Sequence, residues 1–156
     1  MPPILDMELV DPEVCAVPEE RLRTILPQRY ELQMVDSVCY LDHDAKIIVA
    51  YKDLKVDDWW TRGHFPGRPI APGILMCEGA AQTATILWKE VLDLPDVTVG
   101  FGGMNKIRFR GLVTPPSRMY FVATASRLGS RMAQFPTQAY VEGKLVFEGT
   151  IIGVAI

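Results

Sequence analysis

The sequence predicts an α+β domain in which one long helix is embraced by a curved antiparallel sheet. Three observations carry this. The run from Gly73 or Ile74 to about Leu92 is apolar or small nearly all round over its first four turns, so it must be covered on every side. Four later runs, Val97 to Phe109, Arg118 to Ser126, Met132 to Val141 and Leu145 to Ile156, are rich in β-branched and aromatic residues. Turn signals at Thr114-Pro115-Pro116-Ser117, Leu128-Gly129-Ser130 and Glu142-Gly143-Lys144 punctuate them, and strands joined by short turns pair antiparallel.

Taken in order, residues 1–18 carry four prolines and scattered acids without a sustained period, and read as an extension. Residues 19–156 form the domain. Pro18 to Leu26 is a short helix with acids in its first turn, stopped by Pro27. Leu32 to Leu41 and Ile47 to Leu54 read as strands joined by the turn Asp42-His43-Asp44-Ala45. The long helix should end at Asp93-Leu94-Pro95, and at 1.5 Å per residue it spans about 30 Å. Pro136 should mark an edge or a bulge of the sheet.

Composition narrows the class. With 49% hydrophobic and 22% charged residues among 156, the chain suits one soluble globular domain with a real core. A net charge of −3 argues against a general nucleic-acid binder. Cys15, Cys39 and Cys77 are widely spaced and form neither a zinc pattern nor a disulfide framework, which points to a reducing, cytoplasmic setting. No signal peptide is read at the N-terminus. Ile70 to Trp88 is the one segment that could pass for a membrane span, but Glu78 and Gln82 lie near its middle. A charge at the bilayer centre costs about 2.5–3.5 kcal/mol, so no membrane partner is expected.

The chemistry is concentrated between Gly63 and Gln82. Phe65, Arg68 and Ala71 each precede a proline, and Pro66-Gly67 suits the centre of a type II turn, so His64 sits on a loop with few shapes open to it. Pro72 suits a helix start, and Gly73 lets another group approach its backbone, where free N–H groups can hold a developing oxyanion. Glu78 follows His64 by fourteen residues, inside the apolar helix. Burial favours its proton-donating form and the helix N-terminus favours the carboxylate; burial is expected to dominate. A base and an acid in greasy surroundings point to proton transfer on a small, mostly apolar substrate. Cys77 reads as packing, His43 as a solvated turn residue, and Trp59-Trp60 as either a lid or core. Two distant histidines without matching ligands give no metal site.

Gly63-His64-Phe65-Pro66-Gly67-Arg68-Pro69-Ile70-Ala71-Pro72-Gly73-Ile74-Leu75-Met76-Cys77-Glu78-Gly79-Ala80-Ala81-Gln82 closely resembles the active-site motif of the FabZ-type (3R)-hydroxyacyl-acyl carrier protein dehydratases. The similarity extends through Leu26-Pro27-Gln28-Arg29-Tyr30, Met34-Val35-Asp36, Arg108-Phe109-Arg110 and Val141-Glu142-Gly143-Lys144. It departs at Glu31, Asn105-Lys106 and Pro116-Ser117, away from His64 and Glu78. The resemblance implies the hot-dog fold and the dehydration of (3R)-hydroxyacyl thioesters to trans-2-enoyl thioesters in fatty-acid-type synthesis, without a cofactor. His64 would take the C2 proton and Glu78 would protonate the departing 3-hydroxyl. The Gly73 amide would hold the thioester oxygen, and Phe65 counts among the substrate-binding residues. Glutamate rather than aspartate at position 78 favours the FabZ side over the isomerising FabA branch.

The resemblance also implies a homodimer, or a trimer of dimers, with each site built across the dimer interface and the substrate delivered on an acyl carrier protein. Lys106, Arg108 and Arg110 alternate along one strand, with Arg118 on the next, and are the candidates for docking an acidic carrier. Two rival readings use the same fold. One is acyl-thioester hydrolysis by a carboxylate-activated water, and the other is a non-catalytic acyl-thioester-binding module.

Overall fold

The computed structural model describes residues 1–94 and 96–156. Its α-helices are α1 (Glu19–Ile25) and α2 (Gly73–Leu92). Its strands are β1 (Ser37–Asp42), β2 (Ile47–Leu54), β3 (Val99–Phe109), β4 (Ser117–Thr124), β5 (Arg127–Leu128), β6 (Met132–Val141) and β7 (Lys144–Ala155). All belong to one antiparallel sheet in the order β1-β2-β4-β6-β7-β3, with the short β5 pairing beside β6. The chain therefore leaves β2 near one side of the sheet, runs through α2, and enters β3 at the opposite edge. This is the wrapped-helix arrangement that the apolar run and the later strand runs predict.

Packing explains why α2 begins and lasts as it does. Met76, Cys77, Ala80, Thr83, Ala84, Ile86, Leu87 and Trp88 are buried, and they pack against the inner faces of β2, β4, β6 and β7. At Gly79 a side chain is excluded, because a Cβ there would stand 2.3 Å from the Phe121 ring on β4. Asp93 takes a left-handed conformation, and its N–H donates to Lys89 O to close the helix. Pro95, expected to help end the helix, lies outside the described residues. Coverage is not complete, contrary to expectation. Ile74, Glu78, Ala81 and Thr85 recur at helical spacing and are exposed or half-buried, so one stripe of α2 is left open by its own sheet.

Three other expectations need correction. Leu32 to Asp36 is not strand: residues 30–32 form a 3₁₀ turn and β1 starts at Ser37. The backbone there is satisfied by a side chain instead, with Gln82 accepting from Met34 N–H (2.9 Å) and donating to Leu32 O (2.7 Å). Pro136 sits in an interior strand, paired with Thr150 of β7, opposite the break where the neighbouring ladder passes from β4 to β5. Its missing N–H is harmless at that break. The first residues are also more than an extension. Ile4, Leu5, Met7 and Val10 cover Cys39, Val49 and Val122 on the sheet's outer face, and Gln138 Oε1 accepts from Ile4 N–H (2.9 Å).

Edge strand β3 is eleven residues long and largely exposed, with Phe101, Met104 and Phe109 open to solvent. Among the described residues no helix is long and apolar enough to cross a membrane.

Candidate active site

The loop before α2 is held by its own backbone. Phe65 and Arg68 exchange two N–H···O bonds of 2.9 Å around Pro66-Gly67, and Gly67 has φ +72°, the type II turn that the Pro-Gly pair predicts. His64 N–H donates to Trp60 O (2.9 Å), and Ile70 N–H donates to His64 O (2.8 Å). The ring is fixed as well. His64 Nδ1 lies 2.7 Å from Ile70 O, and a carbonyl oxygen can only accept, so Nδ1 carries the hydrogen. In the neutral ring this leaves the lone pair on Nε2, the form a base requires. Phe65 stacks on the imidazole at 4.2 Å between centroids and is itself half exposed. Of the adjacent tryptophans, Trp60 is core and Trp59 is exposed.

Glu78 is held by a side chain one helical turn on. Gln82 Nε2 donates to Glu78 Oε1 (2.8 Å) while the same amide clamps Leu32 O and Met34 N–H. Glu78 is half-buried rather than sealed in the core, because it lies on the open stripe. It faces a cavity of about 50 Å³ walled by Gln28, Ala81, Thr85, Gly100 and Phe135 among others. At the head of α2, the Phe109 ring lies against Gly73: a Cβ there would stand 2.8 Å from it. The close approach expected at Gly73 is thus made by a side chain of β3. Gly73 N–H, in the first turn, has no intrahelical acceptor.

A single chain does not bring all the candidates together. His64 and Phe65 are on the loop, and His64 is not on the wall of the Glu78 cavity. The basic residues also part company. A bulge between Asn105 and Arg108, with Lys106 at φ 55°, breaks the alternation of β3. Lys106 and Arg108 border a groove of about 760 Å³ beside the Met1–Ile4 segment. Arg110 lies beyond β3 and is committed to the buried Glu148, whose carboxyl it holds below the usual range with help from the terminal amine. Arg118 is not on the strand next to β3, whose partner is β7; it pairs with Asp53 (2.6 Å) and lies over Tyr51.

Sequence reasoning missed Gln82, although its i+4 spacing from Glu78 was available, and Phe109, which only the fold carries to Gly73. Among the described residues no group of three His, Cys, Asp or Glu side chains could hold a metal ion.

Comparison with known proteins places this arrangement. The FabA-like domain pattern matches residues 26–150. The chain belongs to the FabA-like family. Within it, the chain is 33% identical over 135 residues to the 3-hydroxyacyl-[acyl-carrier-protein] dehydratase FabZ of Campylobacter jejuni, covering 84% of this chain and 92% of the relative. It is 34% identical over 138 residues to the bifunctional enzyme LpxC/FabZ of Chlorobaculum tepidum, covering 86% of this chain but only 29% of that longer protein. Solved structures share the hot-dog fold with this FabA-like chain. A chain of the dehydratase heterocomplex ApeI:P from Xenorhabdus doucetiae aligns with TM-score 0.72 at 14% identity, over 86% of this chain and 90% of its own. A mutant thioesterase from Pseudomonas aeruginosa aligns with TM-score 0.68 at 13% identity, over 90% of this chain and 95% of its own. At such identities the fold is shared and the chemistry is not implied.

Proposed function

We infer that this protein is a 3-hydroxyacyl-acyl carrier protein dehydratase, a hydro-lyase of fatty-acid-type synthesis, with His64 as base and Glu78 as acid. The observation that carries the residue roles is the His64 Nδ1 contact to Ile70 O, which leaves Nε2 free to take a proton. Nε2 removes the C2 proton of a (3R)-hydroxyacyl thioester, and that electron pair becomes the C2–C3 double bond. The C3–O bond breaks as Glu78 protonates the hydroxyl, which leaves as water. Charge building on the thioester oxygen is met by Gly73 N–H at the start of α2. Phe65 forms part of the wall beside the base.

The working unit is a homodimer. The unpaired edge of β3, its exposed Phe101 and Met104, and the open stripe of α2 form one uncovered border. A second copy seated there supplies the His64 that the Glu78 cavity lacks. The open cations Lys106 and Arg108 receive the acidic carrier, and Arg110 steadies Glu148. The three free cysteines fit a cytoplasmic setting.

His64→Ala and Glu78→Gln should each lower kcat for enoyl formation at least about 1,000-fold with folding intact. Mixing the two inactive variants tests the shared site. Random pairing puts one intact His64–Glu78 site into half of the dimers, so activity should return to about a quarter of wild type. No recovery after subunit exchange would place both residues in one subunit's site. Release of free thiol in place of enoyl product would turn the reading to hydrolysis.

A further inference from the structure

On the face of the sheet turned away from α2, one row of residues crosses five strands. Ile47 of β2 pairs with Thr124 of β4, and the Ala123–Thr137 rung sets Thr124 beside Pro136 of β6. Pro136 pairs with Thr150 of β7, which meets Asn105 of β3 next to the bulged Lys106. These residues alternate with the buried Ile48, Ala123, Phe135 and Ile151, which face the core. Four inter-strand steps of about 4.8 Å make the row roughly 19 Å long. It floors the groove of about 760 Å³ that Lys106 and Arg108 border.

One wall is the Met1–Ile4 segment, which passes over β7 and β6. Gln138 holds it: Nε2 donates to Pro2 O (3.0 Å), and Oε1 accepts from Ile4 N–H (2.9 Å). Floor and wall are mostly hydrocarbon, from Ile47 and Pro136 below to Pro2, Pro3 and Ile4 beside them. Charge is confined to the β3 end. Glu148 there is spent on Arg110 and the amine of Met1. Lys106 and Arg108 are exposed and form no ion pair among the described residues.

A hydrocarbon trough ending in two free cations fits a ligand with the same division: an extended apolar chain with an anionic head. A guanidinium and an ammonium at one end suit a carboxylate, which accepts from both. The trough is walled by Met1–Ile4, so it holds one chain and not the flat surface of a bilayer. We propose that this groove is a second binding site, taking a single-chain amphipathic carboxylate. Its head pairs with Lys106 and Arg108, and its tail lies along Pro136 toward Ile47. Bound ligand then competes with the carrier for the two cations, a consequence that rests on the dehydratase reading above.

Dodecanoate, kept monomeric, is titrated calorimetrically into the full chain. Saturable binding is expected. Lys106→Gln combined with Arg108→Gln should weaken it on the order of 10–100-fold, as hydrogen bonds to a charged head are lost. Dodecanol should bind the wild-type protein as weakly as dodecanoate binds that double variant. Thr124→Trp, which fills the floor, should weaken dodecanoate at least about tenfold with both cations intact. An unchanged Kd in the double variant overturns the proposal, since a chain lodged in the Glu78 cavity ignores both cations. Equal affinity for dodecanol overturns it too, as does binding only to vesicles of anionic phospholipid. In turnover, dodecanoate should raise KM for carrier-bound substrate and leave KM for a small thioester surrogate unchanged; equal inhibition of both overturns the competition. Absence of enoyl product from either substrate would sink the dehydratase reading, while the Kd ratio still decides the groove.

Discussion

The two halves of α2 have the same covalent backbone and opposite duties. From Gly73 to Gln82 the helix carries an open stripe, a carboxyl group facing a cavity, and an amide that reaches out to residues 32 and 34. From Thr83 to Lys89 it is sealed apart from Thr85, the last residue of the stripe: Thr83, Ile86, Leu87 and Trp88 are wholly buried, and Trp88 Nε1 donates to Gly129 O (3.0 Å) while its ring meets Phe135. The proposed chemistry lodges where the sheet leaves the helix uncovered, and the Trp88 ring lodges where it does not.

Substitutions in each half can break or sharpen that contrast. Trp88→Ala should cost about 3–5 kcal/mol in denaturant unfolding, since a large, fully buried ring leaves a cavity. Activity per folded molecule in the cold should stay within a few-fold of wild type; a collapse comparable to that of Glu78→Gln would erase the division. Gly79→Ala should cost about 1–3 kcal/mol by forcing the Phe121 ring away, marking the one side of the first half that does bear load. Gln82→Leu, at the junction, strands Met34 N–H and loosens Glu78 together. About 1–3 kcal/mol of stability and a clear drop in kcat should go with it, and separation of the two effects would show that the clamp and the proposed role of Glu78 are independent.

The smallest effect lies away from α2. Arg110, then the terminal amine, hold the Glu148 carboxyl below its ordinary value against the opposing effect of burial. Its folded-state pKa is depressed, so its contribution is present above the unfolded value near 4.3 and is lost as pH falls through the folded one. Tm should drop on acidification below about pH 4, and Arg110→Met should flatten that drop without touching either half of the helix.

What could be read from the chain beforehand follows the range of the interactions involved. The bounds of α2 and the β6 span were legible because local signals set them: an apolar run, a left-handed cap and a two-residue turn at Glu142-Gly143. Leu32 to Asp36 was misread as strand because its pattern is β-like while its partner is a side chain forty-eight residues away. The bulge at Lys106 and the docking of Ile4 and Leu5 on the outer face are set by the neighbouring strand and by Gln138, which no local window contains. At the candidate site, His64, Gly73 and Glu78 were singled out from the motif. The ties through Ile70, Gln82 and Phe109 were not.

Phe109 belongs to the border strand, yet its ring rests on the first residue of the helix. One aromatic side chain thus makes the rim of the sheet mechanically continuous with Gly73, whose N–H is the proposed oxyanion donor. In the proposed dimer, a lone subunit and an assembled one would then be different catalysts rather than half and whole. Specific activity is expected to climb with enzyme concentration as dilution is reversed, so the cell's dose of this protein would itself tune the rate.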